Sequence, residues 1–150
     1  MKTTPSLPAA SELLFKADAS LSACSADSAR AMLQAVHTAG GKTYRIDLGT
    51  ATDTTKLHHV LARALHFPDW YGHNWDALAD CLSDMSWDEA NTYVLALQRA
   101  EPLQAADPES FNTLVEILED AVQVWHEQKI RFWVLLIGDF PELPRLEVRA

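Results

Sequence analysis

The sequence predicts an α/β domain, a small parallel sheet of three to four strands covered by helices. Segments with strand character end near residues 48, 97 and 137, and segments of helical period lie between them. Strands that alternate with helices long enough to serve as crossovers pair in parallel, with the helices packed on the sheet. At 150 residues, 48% of them hydrophobic and five of them Trp, the chain can bury a real core, and disorder does not describe it as a whole. It contains no internal repeat and no low-complexity segment.

Residues 1–11 carry Pro5, Pro8 and small side chains and read as a flexible arm. Leu13-Leu14-Phe15 reads as a short strand. From 26 to 39 the apolar positions Ala29, Met32, Leu33 and Val36 follow helical spacing, and Gly40-Gly41 stops the helix. Tyr44, Ile46 and Leu48 alternate with Arg45 and Asp47, the period of a strand. Residues 1–41 are therefore expected to form an arm and an extra strand–helix unit on the sheet of a main domain spanning 42–150, the whole making one compact domain.

Asp53 caps the next predicted helix, whose inner face is Leu57, Val60, Leu61, Ala64 and Leu65, and Pro68 ends it. Residues 69–74 form a loop with two aromatics and Gly72. A helix follows from about Asn74 to Asp84, then a strand near Tyr93-Val94-Leu95-Ala96-Leu97. Asp107 before Pro108 is a cap and first-turn signature for a long helix with the stripe Phe111, Leu114, Val115, Leu118, Val122 and Trp125. Phe132-Trp133-Val134-Leu135-Leu136-Ile137 is the last strand.

The formal net charge is −9, from 21 acidic and 12 basic residues. Phosphate contacts need clustered Lys and Arg, so nucleic acid is not expected as a direct partner, and a cationic partner is favoured. Cys24 and Cys81 lack the spacing of a disulfide framework or a zinc site. No apolar run exceeds the six residues of the last strand, too short to span a membrane. With no apolar stretch of signal-peptide length near Met1, the cytoplasm is the expected compartment.

On the helix from 74 to 84, Trp75, Leu78, Cys81, Leu82 and Met85 fall within an arc of roughly 120°. Asp76, Asp80 and Asp84 stand on the opposite side at i, i+4 and i+8, with Ala79 and Ser83. Like charges at that spacing repel, and no Lys or Arg lies between Arg63 and Arg99 to relieve them. Asp84, near the helix end, is also opposed by the macrodipole. Such rails are commonly just solvated faces. The preceding loop shifts the balance, because Trp70 and Tyr71 beside unpaired charge have the composition of a binding hot spot. The competing reading, that these aromatics pack on the core, applies most to Tyr71.

The stretch Phe67-Pro68-Asp69-Trp70-Tyr71-Gly72-His73-Asn74-Trp75-Asp76-Ala77-Leu78-Ala79-Asp80-Cys81-Leu82 resembles the signature of the barstar family of ribonuclease inhibitors. The resemblance extends more weakly over about residues 42–137 and leaves 1–41 outside. It implies a barstar-like fold and a protein that plugs the active site of a basic ribonuclease with the loop and helix, carboxylates standing in for substrate phosphates. Carried over by position, it implies that Asp80 takes the central place among the enzyme's cations and Asp76 meets its basic rim. It implies that Trp70 replaces the Tyr that stacks over a catalytic His, that Gly72 and Asn74 shape the loop, and that Ser83 lies at the edge of contact. Ala79 and Met85 stand where the family has contacting Trp residues, a departure that bears on the partner's identity. In the long helix near the C-terminus, Asp120 best matches an acidic contact.

Two rival readings stand beside this one. Asp76 and Asp80 with nearby His73 could form an acid–base site, but no nucleophile motif, phosphate-binding loop or metal-ligand triad accompanies them. The expectation is no enzyme activity, no cofactor, no metal and no small-molecule substrate. Alternatively, the chain is an immunity or interaction protein of the same fold whose partner is a toxin other than a ribonuclease. His58, His59, His66 and His73 invite a metal, but His58 and His59 point about 100° apart on a helix and cannot easily serve one ion with His66, so the histidines read as surface or half-buried.

Overall fold

A computed structural model describes residues 7–149. The elements run α1 (Ala10–Lys16), β1 (Leu21–Cys24), α2 (Ala26–Thr38), β2 (Lys42–Asp47), α3 (Thr54–Ala64), α4 (Trp75–Asp84), a 3-10 turn (Ser86–Asp88), β3 (Thr92–Gln98), α5 (Glu101–Ala106), α6 (Pro108–Glu127) and β4 (Arg131–Ile137). The four strands pair in parallel in the order β1-β4-β3-β2, the parallel α/β architecture expected. The crossover from β1 to β2 spans the sheet in one direction, and the next two return in the other. Right-handed connections then put α2 on one face and α3, α4 and α6 on the opposite face.

The strands alternate between two cores. Tyr44, Ile46, Leu95, Phe132 and Val134 pack beneath α3–α6, whereas Val94, Ala96, Trp133 and Leu135 face α1 and α2. The free edge of β1 is covered by the chain after β4. Ala23 N–H donates to the Pro144 carbonyl at 2.8 Å and Leu146 N–H to the Ala23 carbonyl at 2.8 Å. A paired edge of this kind offers no open ladder to another chain.

Several expectations need correction. Leu13-Leu14-Phe15 belongs to helix α1, which buries Ala10 and Leu14 four residues apart and leaves Phe15 exposed. Glu12 in its first turn and Lys16 in its last suit the helix dipole. The strand of this region is Leu21–Cys24, buried at all four positions and so without the alternation that marks a half-exposed strand. Of the arm read at 1–11, residues 1–6 lie outside the described residues, and Ala10 and Ser11 are already helical. Helix α3 stops at Ala64, ahead of Pro68. His66 takes a left-handed φ of 55° and Phe67 N–H bonds the Ala62 carbonyl at 2.9 Å, a Schellman closure. Among the described residues no helix is long and apolar enough to cross a membrane.

Candidate partner-binding site

The loop between α3 and α4 spans residues 65–74 and is held by contacts at several of them. Tyr71 N–H donates to the Pro68 carbonyl at 3.0 Å, closing a turn that puts Asp69 and Trp70 at its tip. Trp70 is 65% exposed, whereas Tyr71 is turned inward and 4% exposed. Phe67 packs on Tyr71 with ring centroids 4.8 Å apart. The Tyr71 hydroxyl is hydrogen-bonded with His58 Nδ1 from α3, so the base of the loop is tied to the preceding helix. Burial raises the Tyr71 phenol above its usual value. It also lowers the His58 imidazole, and the neighbouring His73 and His59 add to that. His58 is thus a neutral core residue at 3% exposure, not the surface or half-buried histidine that the sequence suggested.

Asn74 joins loop to helix. Its Oδ1 accepts from Ala77 N–H at 2.8 Å, capping α4, and its Nδ2 donates to the Gly72 carbonyl at 3.3 Å. A Cβ on Gly72 would lie 3.1 Å from that Nδ2, so the bare backbone at this position leaves room for the amide.

Helix α4 buries Leu78, Cys81 and Leu82 against the core, with Trp75 half-buried over His58 at 4.9 Å. Met85 follows in a left-handed conformation and is fully buried. Burial, reinforced by Asp80 and Asp84, pushes the Cys81 thiol up to about 11. From α6, Trp125 Nε1 donates to the Leu82 carbonyl at 2.7 Å, satisfying one of the carbonyls that a helix end leaves open.

Asp76, Asp80 and Asp84 are all exposed on the other side, with Ala79 and Ser83 half-buried between them. Among the described residues none of the three aspartates makes an ion pair. Asp84 accepts a hydrogen bond from Ser86 Oγ at 3.1 Å. Trp70, Gly72, Asn74, Asp76, Ala79, Asp80 and Ser83 therefore fall on one continuous loop-and-helix unit. Asp120 is exposed on α6, and among the described residues no hydrogen bond or ion pair links it to that unit.

One residue beside the loop was missed in the sequence. Trp87, in the 3-10 turn after α4, stands edge-on to Trp70 with centroids 6.3 Å apart and an interplanar angle of 85°. The signal available was a Trp in a polar stretch three residues past the helix, and nothing in helical periodicity reaches it. His59 and His73 bring their rings to 4.7 Å, yet among the described residues no three His, Cys, Asp or Glu side chains are grouped to hold a metal ion.

A family model described as Barstar (barnase inhibitor) matches residues 41–137. No curated protein matches the chain in sequence.

Proposed function

The chain belongs to the barstar family, and on that premise we propose that it inhibits a basic microbial ribonuclease by occluding the active site with α4 and the loop before it. The observation that carries this reading is the exposed row Asp76, Asp80 and Asp84, free of ion pairs among the described residues, next to the protruding Trp70. Carboxylates fixed on a helix can accept charge-assisted hydrogen bonds from Arg, Lys and His⁺ groups arranged for a phosphate backbone. Asp80 stands at the centre of the contact and Asp76 at its rim. Trp70 supplies apolar area, Gly72 and Asn74 hold the loop, and Ala79 and Ser83 lie within the contact. Asp120 adds charge from α6.

In this reading the protein performs no chemistry of its own and acts in the cytoplasm, where its two free, buried cysteines stay reduced. Residues 42–150 are the inhibitor domain, and 1–41 a unit built onto its sheet. A second reading has one observation in its favour. Met85 is buried and Ala79 is small, so the aromatic area that the family resemblance implies on α4 is absent. A partner of different surface, such as a toxin that is not a ribonuclease, would suit that loss.

The test is a titration of barnase and a panel of other microbial ribonucleases with the full chain, following RNA cleavage. Stoichiometric loss of cleavage by at least one enzyme is expected. A tight partner without nuclease activity, captured through α4, would transfer the proposal to the second reading. Metal-dependent hydrolysis that disappears with Asp76→Asn or Asp80→Asn would show an enzyme instead.

A further inference from the structure

An indole standing 65% exposed at the tip of a turn has several rotamers open to it when nothing lies alongside. Each must be given up when a partner fixes the ring, and that ordering weakens binding. Trp70 does have a neighbour. Its ring and that of Trp87 meet edge to face at 6.3 Å, within the separations that aromatic pairs favour. Trp87 is itself anchored twice. Its Nε1 donates to the Leu65 carbonyl, the residue closing α3, at 3.4 Å, and Phe67 meets its ring in a T-shape at 5.8 Å and 89°. The 3-10 turn, the end of α3 and the loop are thereby clamped together by one half-buried side chain.

We infer that Trp87 is a positioning residue, one that holds Trp70 in a single orientation in the free protein so that a partner meets a preformed indole. The inference rests on the reading of Trp70 as a contact residue. Trp87 lies beyond the stretch 67–82 that carries the family signature. The pair also places aromatic area at the 3-10 turn, beside the loop, where α4 itself offers Ala79 and a buried Met85.

The test uses the full chain with Trp87→Ala and Trp87→Phe, each alone and combined with Trp70→Ala. The first readout needs no partner. ¹⁵N relaxation of the Trp70 indole N–H, assigned by its loss in Trp70→Ala, should report a rigid ring in the wild type. Trp87→Ala should give a mobile ring, and Trp87→Phe, which keeps an aromatic wedge against Phe67, an intermediate one. The second readout is affinity for barnase as the probe. Trp87→Ala should weaken it about three- to tenfold when Trp70 is present and leave it unchanged when Trp70 is already Ala. A Trp70 ring that is mobile in the wild type, or equally rigid without Trp87, overturns the inference. So does an equal loss of affinity in both Trp70 backgrounds, which would make Trp87 a direct contact or a general support of the fold. Should Trp87→Ala not fold, Trp87→Phe carries both comparisons. If the wild type does not bind barnase, it is the inhibitor reading that loses ground, and the relaxation data still decide the role of Trp87.

Discussion

Asp80 has Asp76 four residues before it and Asp84 four residues after, and its side chain makes no ion pair among the described residues. Folding and binding therefore make opposite demands on it. Asp80→Asn relieves two repulsive helical pairs and should stabilise the free protein by up to ~1 kcal/mol. The same change removes a carboxylate from among a partner's cations, and breaking such a pair costs about 2–5 kcal/mol of binding. A thermal melt and a titration on one preparation check both halves; a clear fall in melting temperature would mark Asp80 as structural. His58 gives a prediction in pH. Burial holds its folded value below the unfolded one of about 6.5, so in mildly acidic solution the unfolded chain takes up a proton that the folded chain refuses. Stability should accordingly fall as pH drops below about 6.5, by at most ~1.4 kcal/mol per pH unit from this group. Because His59, His73, Trp75 and Tyr71 surround His58, the comparison is between wild type and His58→Gln in urea melts from pH 8 to 5. The variant should show the shallower decline; identical slopes would place the proton elsewhere.

At the scale of the element, the end of the loop and the start of α4 depend on Asn74. Asn74→Ala removes the cap on Ala77 and the bond to Gly72, and should lower stability by about 1 kcal/mol. Asn74→Asp keeps the capping oxygen but loses the donor to Gly72, so it should restore stability while leaving the loop less well held. Chemical denaturation of the two variants checks the first point, and backbone amide exchange at residues 70–73 checks the second. Helix α4 itself was legible in the sequence because its apolar positions repeat at 3.6 residues; that Asn74 caps it comes from the structure. Helices α2, α3 and α6 were legible by the same helical period, Lys42–Asp47 by strand alternation, and Thr92–Gln98 and Arg131–Ile137 as continuous apolar segments. Strand β1 was not legible, because Leu-Ser-Ala-Cys is short, carries no β-branched residue and is buried on both faces. Helix α1 was misread because Leu13-Leu14-Phe15 is an unbroken apolar run, and only the packing of Leu14 and the exposure of Phe15 reveal its one-sidedness. Helix α5 went unread, because it is only six residues long and has no side-chain cap. Of the candidate site, the rail and the protruding Trp70 could be read along the chain. The inward turn of Tyr71 onto His58, the burial of Met85 and the approach of Trp87 arise from tertiary packing that no local period encodes.

For the molecule as a whole, the charge of −9 acts before any contact forms. If the partner is cationic, raising the salt from 0.1 M to 1 M shortens the Debye length from about 10 Å to about 3 Å and should slow association far more than it speeds dissociation. Stopped-flow mixing with the inhibited ribonuclease over that range is the measurement, and an association rate indifferent to salt would show that the acidic rail does not guide the encounter. The sheet order has a consequence of another kind, one of timing. Strand β1 pairs with β4 and with the segment after it, Leu21 lying against Val134 and Ala23 against Arg145. The first strand of this sheet in chain order is thus among the last to be seated. Until residues 131–146 have emerged, the Leu21–Cys24 backbone has no partner on the sheet and α2 lacks Trp133 and Leu135 to pack against. Contacts so distant along the chain are slow to form, and the second core can close only after Trp133, Leu135, Leu146 and Val148 have been made.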